Sequence, residues 1–93
     1  MKRFELGRTV MTRAVADVTA DNEQFAKDVT AALDKYISCD WGTSGEEDWQ
    51  FNNNAVESGE DRILAAYETC EGKIWIITEC DRSYTTILFP SDY

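Results

Sequence analysis

Hydrophobic residues change from a helical to a strand spacing near residue 60. A stripe with intervals of three and four residues begins at Phe25 and ends at Ile37. It predicts a helix from about Asn22 to Ile37, with its apolar face packed on a sheet. Asp21 lies three residues before Gln24, which is the spacing of a capping box at the start of such a helix.

Two shorter helical segments flank this stripe. Val15 and Val18 predict only a short helical turn before it. After the long helix, a glycine-containing break is followed by a second helix, which Thr43 or Ser44 can cap. Gly59 is expected to end that second helix, because glycine readily adopts the left-handed conformation found after a last helical turn.

The C-terminal third predicts strands. The segments RILAAYET, KIWIITE and TTILFP are joined by the connectors CEGK and CDRSY, which contain turn-forming residues. The first segment, KRFELGRTVMTR, predicts an initial strand or extended arm that bends at Gly7. Apolar residues on both faces of KIWIITE indicate cover on both sides, by helices on one face and by the arm or a second subunit on the other.

These elements predict one α+β domain over residues 1–93. The expected order is β-α-α-β-β-β, with a three-stranded C-terminal antiparallel meander and helices packed on one face. No apolar run approaches the ~18 residues of a membrane span, and the N-terminal segment lacks the apolar core of a secretory signal. A cytoplasmic protein is therefore expected.

Charge narrows the expected partners. The chain has 18 acidic and 9 basic residues, a formal net charge of −9. Arg62 is the one basic residue between positions 36 and 72, where the acidic residues concentrate. Such a field repels nucleic-acid phosphates and anionic lipid and attracts basic surfaces. The sequence predicts a protein partner, with no direct nucleic-acid binding and no membrane binding.

Composition also removes several chemistries. There is no histidine, which excludes histidine nucleophile pairs and histidine metal ligands. The 3 cysteines contain no C-x-x-C pair, so neither zinc nor a disulfide framework is indicated. Asp61, Glu71 and Lys73 imitate a nuclease motif, but the turn glycine between the last two argues against it. No catalytic residue, metal or cofactor is predicted.

Two groups of residues remain as candidate sites. Trp41 and Trp49 either cover the core or anchor an interface, whereas the acids after Gly45 suit a helix N-terminus. The predicted interaction surface consists of Asp40, Trp41, Glu46, Glu47, Asp48, Trp49, Glu57, Glu60 and Asp61. The second group is a polar cluster at a hairpin end, formed by Glu79, Asp81, Arg82 and Tyr84.

The hairpin-end cluster has two interpretations. Arg82 can clamp an anion while Tyr84 recognises a ligand. Alternatively, Asp81 and Ser83 shape the turn and Arg82 pairs with a neighbouring acid.

Two stretches of the chain resemble a family of short uncharacterised bacterial proteins, described as plasmid-related and carried on mobile elements. The first is CDWGTSGEEDWQFN continuing to GEDRILAAYET, and the second is KIWIITECDRSYTTILFPSDY. The matching residues include Asp40-Trp41-Gly42, Arg62-Ile63-Leu64, Asp81-Arg82-Ser83 and Thr85-Thr86-Ile87-Leu88. Thr43 stands where that family usually has an acidic residue. The resemblance implies a genetic setting and no mechanism.

The leading hypothesis is a small acidic protein-binding factor of a bacterial mobile element. Its sharper form is an anti-defence inhibitor, such as an anti-CRISPR protein, that mimics DNA on a basic nucleic-acid-binding host protein. One alternative is an accessory or regulatory protein that forms a homodimer or larger homo-oligomer. Another is a minor enzyme that uses the acidic and arginine-containing polar site.

Overall fold

The computed structural model describes residues 4–93. In this range one strand and three helices are followed by three strands. The elements are β1 (Arg8–Met11), α1 (Arg13–Asp21), α2 (Glu23–Ile37), α3 (Glu46–Ser58), β2 (Ile63–Thr69), β3 (Gly72–Thr78) and β4 (Tyr84–Leu88), followed by a 3₁₀ helix at Pro90–Asp92. The α+β class is confirmed.

The region before α2 contains more helix than predicted. Residues 13–21 form the complete helix α1 instead of one turn, giving the order β-α-α-α-β-β-β. The side chain of Thr12 caps α1 by accepting a hydrogen bond from Val15 N at 3.4 Å. Asn22 ends α1 with an extended backbone and caps α2, since its Oδ1 accepts from Phe25 N at 3.1 Å. The predicted capping box from Asp21 to Gln24 is therefore wrong, because the side chain of Asn22 caps α2 one residue later and Phe25 cannot complete a box.

The sheet has the order β1-β4-β3-β2. Strands β2, β3 and β4 form the predicted antiparallel meander. The N-terminal segment is a strand, and β1 pairs in parallel with β4, with Arg8 opposite Tyr84. Gly7 precedes β1 at a φ of 66°, and a Cβ there would collide with the backbone carbonyl of Arg82. The predicted bend is present, and the close approach of two backbones requires glycine.

The helices pack on one face of the sheet. Phe25, Val29 and Tyr36 of α2 belong to the same buried cluster as Ile74 and Ile76 of β3. The other face carries alternate strand residues, of which Ile77 and Leu88 are buried. The arm does not cover this second face, because β1 lies at the edge of the sheet. Part of the cover comes from Tyr93, whose ring centroid is 5.6 Å from that of Trp75.

A chain of buried hydroxyl groups connects α2 to the N-terminal segment. Tyr36 Oη lies 2.6 Å from Thr78 Oγ1, which lies 2.8 Å from Thr85 Oγ1. Thr85 donates its hydrogen bond to the backbone carbonyl of Leu6 at 2.7 Å. Because each hydroxyl has one proton, Thr78 donates to Thr85 and Tyr36 donates to Thr78. Burial raises the pKa of Tyr36 well above its usual value.

Candidate interaction surface

Helix α3 carries most of the predicted interaction surface, and Asn52 fixes it to the sheet. The Asn52 amide nitrogen donates to Leu64 O at 2.8 Å, and Asn52 Oδ1 accepts from Leu64 N at 3.3 Å. Only 1% of Asn52 is exposed. The side chain thus replaces a neighbouring strand along the outer edge of β2, and α3 has a rigid base.

The loop before α3 completes the same edge. Ser44 Oγ accepts from Ala66 N at 3.0 Å, and Thr43 N donates to Ala66 O at 2.9 Å. The residue that precedes α3 is Gly45, which offers no side-chain hydrogen bond to the helix. The predicted cap by Thr43 or Ser44 is therefore wrong, because both residues bond to the sheet edge or the loop instead.

Trp41 belongs to the core and offers no contact area to a partner. Its side chain is 0% exposed, and its indole N–H donates to Asn53 Oδ1 at 2.9 Å. On either side of it, Tyr67 Oη donates to Asp40 O at 2.6 Å, and Gly42 N donates to Asp40 Oδ1 at 3.1 Å. Trp41 is therefore not part of the interaction surface, contrary to the prediction from the sequence, and the Asp-Trp-Gly sequence instead anchors the loop to the sheet.

The exposed aromatic residue of α3 is Phe51. Trp49 is half-buried and packs against the core beside Val56. Phe51, by contrast, is 54% exposed and lies near Arg62 and Leu64. The sequence contained a signal for this, since Phe51 does not share the helix face of Trp49, Asn52 and Val56.

The carboxylates of α3 project into solvent without compensation. The first turn of α3 contains Glu46, Glu47 and Asp48. Negative charge there is stabilising, because it attracts the free backbone N–H groups at the helix N-terminus. Glu57 lies on the same face as Glu46, about three turns further on. Within residues 4–93, the exposed carboxylates Glu46, Glu47, Asp48, Glu57, Glu60 and Asp61 have no ion-pair partner.

The predicted surface does not form one continuous patch. Glu46, Glu47 and Glu57 share the outward side of α3, and Glu60 and Asp61 follow its C-terminal end. Asp48 lies on the flank near Arg62 and Phe51. Asp40 lines a separate depression that includes Asp28, Lys35 and Glu68. We therefore define the acidic face as Glu46, Glu47, Glu57, Glu60 and Asp61.

The guanidinium of Arg82 binds backbone carbonyls, and within residues 4–93 it pairs with no carboxylate. Its two terminal nitrogens donate to four oxygens, namely Asp61 O (2.7 Å), Ala55 O (2.8 Å), Glu79 O (3.2 Å) and Cys80 O (3.3 Å). Ala55 O is at the C-terminal end of α3, where a positive charge is favourable. The ion-pair role of Arg82 is therefore wrong for residues 4–93, and its role as an anion clamp stays a prediction. Arg82 connects the hairpin to the end of α3.

The other members of the hairpin cluster, Glu79, Asp81 and Tyr84, make different contacts. Asp81 Oδ1 accepts from Ser83 N at 3.0 Å, so these two residues shape the turn as one interpretation predicted. Hydrogen bonds from Ser83 also lower the pKa of Asp81. The Glu79 backbone N–H bonds to Tyr84 O, and Tyr84 is 43% exposed.

The nuclease-like residues are also far apart. Asp61 precedes β2, whereas Glu71 lies in the turn after it and Lys73 of β3 pairs with Glu68 near its C-terminal end. Glu71 accepts a hydrogen bond from Asn22 at 2.7 Å. Residues 4–93 contain no group of three acidic or cysteine side chains placed to hold a metal ion. In the same range, no helix has the length and apolar character needed to cross a membrane.

No protein-family model, curated protein or solved structure matches the chain. The acidic face on the anchored helix α3 is therefore the candidate site that the geometry itself defines.

Proposed function

We propose that this protein is an acidic protein-binding factor whose acidic face occupies the nucleic-acid-binding surface of a basic partner. In the setting that the sequence resemblance implies, it acts in the bacterial cytoplasm as an anti-defence inhibitor encoded by a mobile element. The observation that carries the proposal is the two groups of exposed carboxylates at the ends of α3, none of which has an ion-pair partner within the described residues.

The charge spacing suits a surface that normally binds nucleic acid. Helix α3 has 13 residues, which corresponds to a length of about 20 Å. The acidic face carries 5 acidic residues in two groups, Glu46 and Glu47 at the start of α3 and Glu57, Glu60 and Asp61 at and after its end. Residues 49–56 contain no acid, so the two groups lie about 15 Å apart along the helix. One strand of DNA carries a phosphate about every 3.4 Å, so the two groups match phosphate positions about four nucleotides apart in a basic groove.

Rigidity adds to the effect of charge. The bidentate contact from Asn52 to Leu64 holds the middle of α3, and the carbonyl contacts of Arg82 hold its C-terminal end. A charged surface that is already ordered loses less conformational entropy on binding than a flexible acidic tail does. Arg62, the nearest base in sequence, points its guanidinium at Tyr93, with Nη1 3.1 Å from Tyr93 Oη.

DNA displacement tests the proposal directly. Purified nucleases and CRISPR effectors are loaded with fluorescent DNA, and the release of that DNA by this protein is followed by anisotropy at low and high salt. We expect release from at least one such enzyme, and we expect added salt to weaken the interaction between this protein and the enzyme. The variant Glu46→Gln/Glu47→Gln/Glu57→Gln should lose about tenfold in affinity, at roughly 0.5 kcal/mol per exposed charge.

The matched control removes the same number of charges elsewhere. Asp17, Asp21 and Asp34 are exposed on α1 and α2, away from the acidic face. The variant Asp17→Asn/Asp21→Asn/Asp34→Asn should release DNA as the unmodified protein does. Equal losses in both variants would assign the effect to net charge alone, and a lack of release from every enzyme at low salt would reject the proposal.

A further inference from the structure

The two edges of the sheet are finished differently. At the β2 edge, Asn52, Ser44 and Thr43 bond to the outward backbone groups of Leu64 and Ala66. At the other edge, β1 is the last strand, and all of its residues are exposed. An unprotected edge strand is a template for pairing with another strand.

The outward groups of β1 follow from its pairing with β4. Arg8 N donates to Ser83 O at 3.1 Å and Thr12 N donates to Ile87 O at 3.0 Å, so these residues direct their N–H groups inward. Alternate residues of a strand direct their backbone groups to opposite sides. Thr9 and Met11 therefore direct their N–H and C=O groups away from the sheet. Within residues 4–93 these groups have no hydrogen-bond partner.

We propose that the β1 edge binds a second copy of this chain, strand to strand and antiparallel, about a two-fold axis at Val10. Val10 then faces Val10 of the second copy, and Thr9 and Met11 exchange hydrogen bonds with Met11 and Thr9 of that copy. The pattern is self-complementary, as an interface between identical chains requires. The product is one continuous eight-stranded sheet with all helices on the same face.

Exposed apolar side chains coincide with this edge. Val10 is 37% exposed and Met11 is 40% exposed. In the antiparallel pair, two directly opposed valines at a non-hydrogen-bonded position have Cα atoms about 4.5 Å apart, so their side chains touch. The short edge buries less than the ~800 Å² per partner of a standard interface. We therefore expect a weak, concentration-dependent dimer.

The charge distribution allows a second copy at this edge. The acidic face belongs to α3, which packs beside β2 at the opposite side of the sheet. In the dimer the two β2 strands are seven strand spacings apart, or about 34 Å. This exceeds the Debye length of about 10 Å at 0.1 M salt. Two chains of charge −9 can therefore meet at β1 with their acidic faces screened from each other.

Sedimentation equilibrium of the full chain, from about 1 μM to about 1 mM, tests the proposal. We expect the average mass to rise from 10.6 kDa toward twice that value. Val10→Lys places two like charges opposite each other and should weaken the association at least tenfold, without changing the circular dichroism spectrum. Phe51→Lys is the matched control, because it makes the same kind of change on an exposed residue of α3 and should leave the association intact.

Cross-linking locates the contact independently. In a Cys70→Ser/Cys80→Ser background, Val10→Cys should form an interchain disulfide on mild oxidation, because the opposed Cα atoms fall in the range that a disulfide spans. Phe51→Cys in that background should not. The proposal is overturned if the unmodified chain stays monomeric up to about 1 mM, or if Phe51→Lys abolishes association and Val10→Lys does not. If β1 pairs with a strand of another protein instead, the purified chain also stays monomeric, and the proposal of a second copy is likewise overturned.

Discussion

Three consecutive asparagines, Asn52, Asn53 and Asn54, allow the same substitution to be compared in three different environments. Asn52→Ala removes both hydrogen bonds to Leu64 and leaves a buried strand N–H and C=O unpaired. Each lost bond costs about 1 kcal/mol, and the unpaired groups add to this. The better helix propensity of alanine returns about 0.6 kcal/mol. We expect the free energy of unfolding to fall by about 2–3 kcal/mol.

Such a loss is large for a domain of this size, whose total stability is of the order of 5–14 kcal/mol. It corresponds to a decrease of about 10–20 °C in the melting temperature. Urea unfolding followed by circular dichroism measures the change, and the slope with urea concentration should stay constant.

The neighbouring positions supply the controls. Asn53→Ala removes the acceptor of the indole N–H of the buried Trp41 and should cost about 1–2 kcal/mol after the gain in helix propensity. Asn54 is exposed and makes no hydrogen bond within the described residues, so Asn54→Ala should stabilise the protein by about 0.5 kcal/mol. If Asn54→Ala destabilises the protein as much as Asn52→Ala, the edge-pairing role of Asn52 is refuted.

Three other predictions concern the backbone and the charges. Gly7→Ala should reduce the free energy of unfolding by more than about 3 kcal/mol, because a Cβ would collide with the Arg82 carbonyl, whereas Gly59→Ala, at a φ of 72° with open space around it, should cost about 1 kcal/mol. Equal melting temperatures for these two variants would contradict this. Arg82→Lys should lower the free energy of unfolding in urea by about 2 kcal/mol, because one ammonium cannot reach all four carbonyls. An unchanged unfolding midpoint would show that these contacts do not stabilise the fold. The pKa of Asp28 lies below its usual 3.8, mainly because its carboxylate accepts a hydrogen bond from the backbone N–H of Cys70. Its ionised form therefore stabilises the fold at neutral pH and that contribution is lost as the pH falls below about 4, so Asp28→Asn should flatten the acid limb of the melting temperature against pH.

The spacing of hydrophobic residues predicted α2 and the meander, because the buried faces of these elements set that spacing. The stripe from Phe25 to Ile37 gave α2, because one face of that helix packs on the sheet. The meander followed from short turns between β-branched segments. Helix α1 was underestimated because Val15 is its one fully buried residue, which leaves little hydrophobic pattern to detect.

The polar residues of the candidate site were harder to assign, since their roles depend on partners distant in sequence. Asn52 and Arg82 bond to backbone groups on other elements, and no local pattern indicates those pairings. Trp41 was equally ambiguous, because a loop tryptophan beside glycine can face the core or solvent. The exposed acids of α3 were predictable, because charged residues without apolar neighbours on a helix face remain in solvent.

The parallel pairing of β1 with β4 joins the first strand of the chain to the last. During synthesis β1 emerges before β4, so β1 has no intramolecular partner until the segment through Leu88 has been made. Contacts between such distant segments close slowly because the intervening chain must be ordered first. The attachment of β1 is therefore expected to be among the last steps of folding, after the helices and the meander have formed.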